Sequence, residues 1–259
     1  MKKFLTASVV MAAAVILVAA QAQATLLVNE PFSYPNGNLA GNTPGTGGGA
    51  WTQFSSPGAT DIQVVNGQAV IGQANYPDDA IQFGSGFVAG NSDKVYASFD
   101  LTLSVLPNGT SYFAMFKDST TGNFGARVFV TVTNAVAGDY SIGFGNTSVS
   151  GMFATKSATL GTDYKIVLRI DNSAGGAGTM WIGPSLETDP SFTPTDTKYV
   201  DPWQTFAFRQ ATAGGLSTVE NVDNLMVGTT FNDVIPEPST VLLVSMGMLG
   251  LFAARRRRS

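Results

Sequence analysis

Residues 95–105 read Val-Tyr-Ala-Ser-Phe-Asp-Leu-Thr-Leu-Ser-Val, and every odd-numbered position of this stretch is apolar. Side chains that alternate in this way lie on opposite faces of a β-strand, so the stretch predicts a strand with one face in a core. The same alternation recurs at 126–133 and at 164–171. Asn66-Gly67 stands between two further short apolar runs and predicts a two-residue type I′ hairpin turn.

The stretches between these strands are rich in residues that interrupt regular structure. Residues 36–49 contain six glycines and predict a surface loop. Residues 183–202 contain four prolines and predict a long connection across an edge or end of the sheets. About 210 residues of alternating runs and breakers predict an all-β fold, a single β-sandwich with jelly-roll-like connections.

The composition excludes several kinds of chemistry. The chain of 259 residues contains neither cysteine nor histidine. It therefore has no disulfide, no thiol nucleophile, no Ser-His-Asp triad and no metal held by His or Cys. Only 12% of the residues are charged and 29 are glycines, which is typical of an exported, turn-rich β protein.

The first 24 residues have the organisation of a secretory signal peptide. Two lysines precede the apolar run 5–20, and small residues follow at 22–24. A membrane anchor is the alternative, but the apolar run ends directly in the cleavage pattern. We expect signal peptidase to remove residues 1–24 and to leave a body at 25–234.

The C-terminal residues 235–259 carry a second targeting pattern. An apolar helix is predicted at about 240–254, and its run of fourteen apolar residues reaches about 21 Å, which is marginal for a membrane span. Basic residues beyond a span stay in the cytoplasm, so this end and the signal peptide predict the same topology. The flanking groups are Pro236, Glu237 and Pro238 before the helix and Arg255, Arg256, Arg257 and Arg258 after it.

This order of a Pro-Glu-Pro motif, a short apolar helix and an arginine cluster resembles the PEP-CTERM sorting signal of Gram-negative bacteria. The resemblance implies export, transient anchoring in the inner membrane, and processing near the Pro-Glu-Pro motif by an exosortase. It also implies a final location at the cell surface or outside the cell, and an association with exopolysaccharide. An ordinary C-terminal anchor is the alternative.

Removing both ends changes the charge of the chain. The whole chain has a formal net charge of −4, but residues 25–235 hold 8 basic and 17 acidic residues, a net charge near −9. Nucleic acid is therefore not expected as a partner, because binding it requires a basic surface. Calcium or a neutral glycan fits an acidic exported domain better.

Short motifs along the body resemble bacterial concanavalin A-like (laminin G-like) domains. The resemblance implies the β-sandwich fold, but it implies no single function, because this fold hosts lectins, glycosidases, lyases and inert spacers. The matching residues are Glu30-Pro31-Phe32-Ser33-Tyr34, Gly37, Leu39, Gly41, Trp51, residues 64–71, residues 181–184 and residues 222–231.

The same resemblance implies a structural calcium ion. Its ligands would be Glu30, a carbonyl of Gly67, and Asp223, all of them oxygen ligands of the kind that calcium prefers. The alternative is that Glu30 is a solvated charge at a strand end and Asp223 a turn or edge residue. Weaker alternatives for the ion are Asp78-Asp79 and the pair Asp196 and Asp201, which are otherwise solvated loop charges.

Aromatic side chains predict where a sugar would stack. Trp203 follows the proline-rich connection and is the first candidate platform for a sugar ring, with Tyr199 and Tyr76 behind it. Trp51 and Trp181 match positions that belong to the core or its rim.

No catalytic residue is predicted, and the protein is not expected to be an enzyme. Glycosidases need two carboxylates at a set separation, and Glu30, Glu187 and Glu220 form no such motif in the body. Glu220 and Asp223 are three residues apart, which on a strand places them on opposite faces.

The sequence predicts an exported, exosortase-sorted protein of the cell surface or extracellular matrix that associates with polysaccharide. Two alternatives remain open: a purely structural surface protein without a small ligand, and a carbohydrate-active enzyme such as a glycosidase or lyase.

Overall fold

The computed structural model describes residues 25–55, 60–72, 77–87, 94–118, 122–147, 153–194, 196, 203–210 and 219–235. They form sixteen β-strands, one 3₁₀ turn at Asn172–Ala174 and one short helix. The strands are β1 Leu26–Glu30, β2 Gly37–Asn38, β3 Thr46–Gly47, β4 Thr52–Ser55, β5 Gln63–Val65, β6 Gln68–Gly72, β7 Asp78–Phe87, β8 Lys94–Val105, β9 Ser111–Lys117, β10 Phe124–Thr131, β11 Tyr140–Gly145, β12 Phe153–Ala158, β13 Tyr164–Asp171, β14 Ala177–Ile182, β15 Trp203–Phe208 and β16 Val219–Gly228, and helix α1 is Phe231–Val234.

The strands form two antiparallel sheets. The first sheet has the order β14-β13-β8-β16-β6-β5-β2, with β1 paired to β16 and β3 paired to β1. The second sheet has the order β12-β11-β10-β9-β15-β7-β4. This two-sheet sandwich confirms the predicted all-β fold class and is the architecture that the resemblance to concanavalin A-like domains implies.

Strand β8 lies in the middle of the first sheet, between β13 and β16. Its odd-numbered side chains from Val95 to Leu103 are fully buried, and only Val105 at the strand end is 42% exposed. The alternation in the sequence therefore predicted the buried face correctly. Burying one large apolar side chain contributes about 1.5–3 kcal/mol, so this strand is a main source of the fold's stability.

The core between the sheets is largely aromatic on the side of the second sheet. Phe206 and Phe208 of β15 contact each other edge to face, and the ring of Phe116 in β9 lies 5.3 Å from that of Phe206. The Phe99 ring of β8 reaches the same group from the first sheet, 6.1 Å from Phe206. Edge-to-face contacts of this kind add to the free energy of burial and fix how the two sheets pack.

The predicted hairpin turn is present between β5 and β6. Asn66 and Gly67 have φ angles of 52° and 80°, the positive values that a type I′ turn requires at both central residues. The two predicted irregular regions are also confirmed where they are described. Residues 36–49 contain only two-residue strands, and the connection after β14 pairs with the sandwich through one bridge, Phe192 to Met180.

Helix α1 closes the C-terminal end of the body on the outer face of the first sheet. Thr230 caps it, and the side chain of Asp233 accepts hydrogen bonds from the backbone N–H groups of Thr229 and Thr230 at 2.8 and 2.7 Å. Phe231 packs edge to face against Trp181 and Tyr96. The chain therefore leaves the described body at this face.

The predicted signal peptide at 1–24 and the predicted apolar helix at about 240–254 lie outside the described residues. Within the part of the chain that the structure describes, no helix is long and apolar enough to cross a membrane.

Candidate functional site

The outer face of the second sheet collects aromatic and basic side chains from four strands and their ends. Phe113 and Phe116 of β9 point into the core, whereas Met115 belongs to a separate cluster on the other side of the sheet with Ala80 and Ala207. These three small or flexible side chains form a buried apolar floor. We call the residues around this floor the basic-aromatic face: Phe54, Tyr112, Lys117, Phe124, Arg127, Phe129 and Arg209.

Strand pairing explains why these residues meet. Met115 pairs with Ala207, and Lys117 pairs with Thr205, so β9 and β15 contribute neighbouring positions to one face. On the other side of β9, Tyr112 pairs with Phe129 of β10. Side chains opposite each other in an antiparallel pair share a face, which places the aromatic and basic groups side by side.

The basic groups lie against aromatic rings. The guanidinium carbon of Arg209 is 4.3 Å from the ring centre of Tyr112, and that of Arg127 is 4.7 Å from the same centre. Lys117 Nζ lies 4.8 Å from the ring centre of Phe54. A cation within about 6 Å of an aromatic ring is attracted to the ring's negative face, so these contacts hold the basic groups in place.

The same basic groups are only partly compensated inside the protein. Burial lowers the pKa of Arg127, and the neighbouring Arg209 lowers it further, against the opposing effects of Tyr112 and Asp196. Burial also lowers the pKa of Lys117, whose Nζ donates to the carbonyl oxygen of Asp118 at 2.8 Å. Among the described residues, the Nε of Arg127 is buried without a hydrogen-bond partner, as is the Nε of Arg169 on the first sheet. The protein therefore offsets the charge of this face only in part.

A shallow, open groove of about 420 Å³ lies at the edge of the sheet beside this face. It is lined by Gly48, Gly49, Gln82 and Gly84. Gln82 is exposed and pairs with Thr205, which in turn pairs with Lys117. The groove therefore continues the row of residues that crosses the basic-aromatic face.

The structure places the predicted sugar platform in the core. Trp203 is fully buried, and a side chain at Gly125 would begin 2.4 Å from its ring, so the indole fills the space that this glycine leaves. The prediction of an exposed Trp203 is therefore wrong: the proline-rich connection ends before the residue, which starts a strand facing the interior. Tyr76 and Tyr199 lie outside the described residues. Trp51 and Trp181 are buried, as predicted.

The residues predicted to hold calcium lie on neighbouring strands of the first sheet, and two of them have protein partners. Glu30 is fully buried, and its carboxylate accepts hydrogen bonds from the backbone of Phe32, the hydroxyl of Tyr34 and the indole of Trp51 at 2.6–2.8 Å. Asp223 lies on the outer side of the first sheet, at a bulge where Asn224 reaches Asp100. The structure therefore contradicts the alternative that Glu30 is a solvated charge at a strand end.

Gly67 lies in the turn between β5 and β6, and β6 pairs with β16 just before Asp223. Both carboxylate oxygens of Glu30 accept hydrogen bonds from the protein. Among the described residues, no three Asp or Glu side chains lie close enough together to hold a metal ion. Calcium binding by two carboxylates and a carbonyl stays a prediction.

The remaining acidic candidates have structural surroundings. Asp78 and Asp79 are 7% and 0% exposed, so the expectation of solvated loop charges is wrong for this pair, which begins strand β7. Asp196 accepts hydrogen bonds from the backbone N–H groups of Asn146 and Thr147 at 3.2 and 2.8 Å. It thus anchors the end of β11 beside Arg127. Asp201 lies outside the described residues.

Asp79 forms a buried carboxyl pair with Asp61. Neither carboxyl oxygen of Asp79 has an N–H or O–H donor among the described residues, and the side chain contacts the carboxyl group of Asp61. Burial, the hydrogen bond to Asp61 and the charges of Asp61 and Asp78 raise the pKa of Asp79 to about 9. Two ionised carboxylates share no hydrogen bond, so Asp79 keeps its proton and donates it to Asp61, which takes N–H groups from Ala40 and Ile62.

Sequence reasoning missed the basic-aromatic face. Its residues occupy the outward positions of strands that are far apart in the chain, from Phe54 to Arg209, and their meeting depends on β15 inserting between β9 and β7. Irregular pairing between β9 and β10 also interrupts the simple alternation near Tyr112. The available signal was that Lys117, Arg127 and Arg209 each have a phenylalanine within two positions in the sequence.

Comparison with known proteins confirms the sorting signal at the C-terminus, and it assigns no family to the body. Residues 234–258 match the family model of the PEP-CTERM protein-sorting motif, as predicted from the sequence. No curated protein matches the chain in sequence.

Several solved structures resemble the chain in outline. An alginate lyase from Alteromonas sp. 272 is 15% identical, with a TM-score of 0.42 over 63% of this chain and 88% of that one. An alginate lyase from Pseudomonas aeruginosa is 8% identical, with a TM-score of 0.43 over 63% and 82%. The carbohydrate recognition domain of Emp47p is 10% identical, with a TM-score of 0.43 over 80% and 96%. These similarities are too low to transfer a function.

Proposed function

We propose that this chain is an exported, exosortase-sorted protein that binds polysaccharide at the cell surface or in the extracellular matrix without modifying it. The sorting motif at 234–258 supports export and processing by an exosortase. Signal peptidase, a transient inner-membrane anchor and release to the surface complete the proposed route. The binding role rests on one observation, the basic-aromatic face.

The face has the two components that a carbohydrate site needs. Partly buried rings at Phe54, Tyr112 and Phe124 offer apolar surfaces on which pyranose rings stack. Arg127 and Arg209 carry donors that fix the orientation of a sugar's oxygen atoms, while the buried Lys117 lies beneath the ring of Phe54. The adjoining groove at Gln82 gives an extended chain room to continue past the sheet edge.

A binding assay with a matched pair of variants tests this function. The full-length protein, purified in detergent, is titrated against a panel of soluble polysaccharides. Phe124→Ala removes a ring of the face, whereas Tyr164→Ala removes a half-buried ring of the first sheet. We expect Phe124→Ala to weaken binding about threefold to tenfold, since an aromatic contact contributes about 0.5–1.5 kcal/mol, and Tyr164→Ala to leave binding unchanged.

Two results would contradict the proposal. If no polysaccharide of the panel binds, the purely structural alternative is favoured. If the protein releases reducing or unsaturated ends from any polysaccharide, it is a carbohydrate-active enzyme and the non-enzymatic part of the proposal is wrong.

A further inference from the structure

The ion pairs of the described body lie on one sheet only. Within 4 Å, Lys94 pairs with Asp171, Lys165 with Asp100, and Arg169 with Glu187. The first five of these residues belong to β8 and β13 of the first sheet, and Glu187 lies in the connection that follows β14. Among the described residues, Lys117, Arg127 and Arg209 of the second sheet take part in no such ion pair.

Acidic residues do approach the basic-aromatic face, but their hydrogen bonds are directed elsewhere. Asp78 forms no ion pair with Arg209 within 4 Å. Its oxygens accept hydrogen bonds from the hydroxyl of Ser55 and the backbone N–H of Gln210 at 2.7 and 2.8 Å. Asp196 likewise accepts from the backbone of Asn146 and Thr147. These two carboxylates, whose charges act on Arg209 and Arg127, thus also hold loops in place.

Two arginines share one aromatic ring and form no ion pair within 4 Å among the described residues, although the charges of Asp196 and Asp78 act on them from a distance, in a body whose net charge is near −9. Like charges held close together are unfavourable unless something compensates them, and burial at Arg127 increases that cost. An anionic group on this face would supply the compensating charge.

We infer that the ligand of the basic-aromatic face is an acidic polysaccharide whose uronate carboxylates bind Arg127 and Arg209. A guanidinium group presents a planar fork of donors that matches a carboxylate, and charge-assisted hydrogen bonds of this kind are about twice as strong as neutral ones. The rings of Tyr112 and Phe124 stack on the sugars that carry the carboxylates. This inference rests on the proposed function and names the chemical class of its ligand.

The acidic body limits where such a polymer binds. At physiological salt the screening length is about 8 Å, so a polyanion senses the local face more than the net charge of the whole domain. At about 1 M salt the length falls to about 3 Å, which also screens the contacts to the arginines. Binding should therefore be present at physiological salt and be lost at high salt.

The experiment compares one polymer with and without its charge. The full-length protein in detergent is titrated at physiological salt against polygalacturonate and against the same polymer with its carboxylates methyl-esterified. We expect at least about tenfold weaker binding to the ester, because each charge-assisted contact contributes more than a neutral one. This comparison uses only the unmodified protein, so its result does not depend on whether a variant folds.

A pair of double variants then locates the site. Arg127→Gln with Arg209→Gln removes two positive charges from the basic-aromatic face, and Lys94→Gln with Lys165→Gln removes two from the first sheet. We expect the arginine variant to lose at least about tenfold in affinity for polygalacturonate and the lysine variant to keep it. Thermal midpoints establish that each variant is folded.

The outcomes separate this inference from the proposed function. Equal binding of the acid and the ester, or equal loss in the two double variants, overturns the assignment of an acidic ligand while polysaccharide binding stands. Absence of binding to these polymers and to the whole panel overturns both.

Discussion

The outer faces of the two sheets use their polar groups in different ways. On the first sheet, Arg169 bridges to Glu187, which also accepts a hydrogen bond from the hydroxyl of Tyr96 at 2.7 Å. On the second sheet, Arg127 and Arg209 lie against one tyrosine ring and have no ion-pair partner among the described residues. The charges of the first face form ion pairs, whereas those of the two arginines on the second face form none among the described residues. The proposal of a binding face rests on this difference.

Helix α1 strengthens the contrast. It covers Tyr96, Val167 and Trp181 on the first sheet, and the hydroxyl of Ser98 donates to the carbonyl of Val234 at 2.7 Å. Ile235 follows the helix directly, at the start of the sorting motif. The chain therefore leaves the body from the first sheet, and the basic-aromatic face lies on the other side of the sandwich.

The largest expected effect is on stability and concerns the covered face. Trp181→Ala removes an indole that is 2% exposed and packs beneath α1, so the free energy of unfolding should fall by about 3–5 kcal/mol. Denaturant unfolding measures the loss, and Leu186→Ala, at a side chain that is 62% exposed, serves as the control with little change. A loss below about 1 kcal/mol for Trp181→Ala would mean that α1 does not hold this face.

The second effect concerns Asp79, which lies between the two sheets and belongs to neither outer face. Its pKa is raised to about 9, above the value of about 3.9 in an unfolded chain. The folded state therefore holds a proton that the unfolded state releases, so stability falls as the pH rises from about 4 towards 9. The slope reaches at most about 1.4 kcal/mol per pH unit.

Asp79→Asn keeps the shape and the donor to Asp61 but has no proton to lose. We expect this variant to be more stable than the parent at pH 8–9 and less dependent on pH, as followed by denaturant unfolding across this range. Asp163→Asn, at an exposed carboxylate, controls for the loss of one charge. A parent protein whose stability is flat between about pH 5 and 9 would contradict the shared proton.

The sequence predicted those parts of the fold that depend on local patterns. The alternation in β8 and the Asn66-Gly67 turn are local, because a strand's inward face and a turn's φ angles follow from neighbouring residues. The sorting motif is local as well. The exposure of Trp203 and of Asp78-Asp79 was predicted wrongly, because the burial of a side chain depends on which strands pair next to its own. Here β15 pairs with β7, and more than a hundred residues separate the two strands in the sequence.

The candidate site was beyond prediction for the same reason. Tyr112 and Arg209 are almost a hundred positions apart, and their contact arises only when β15 lies beside β9. Likewise, Glu30 has the residue type of a calcium ligand, yet its three donors come partly from Trp51, twenty-one residues further along the chain. Residue types thus indicated candidate chemistry, and strand order decided which groups meet.

The smallest expected effect tests whether the ion pairs of the first face contribute much at all. The hydrogen bonds from Ser173 and the charges of Lys94 and Arg169 lower the pKa of Asp171, and they outweigh burial, the largest single influence, which raises it. A lowered pKa gives stability that is present above about pH 4 and is lost as the pH falls through the folded value, the opposite direction to Asp79. Since Lys94 is 40% exposed, Asp171→Asn should cost less than about 1 kcal/mol at neutral pH and nothing in strong acid. Denaturant unfolding measures both Asp171→Asn and Lys94→Gln, and Lys94→Gln should lower the free energy of unfolding by no more than Asp171→Asn does. If either variant lowers it by several kcal/mol, the ion pairs of this face are a main source of stability.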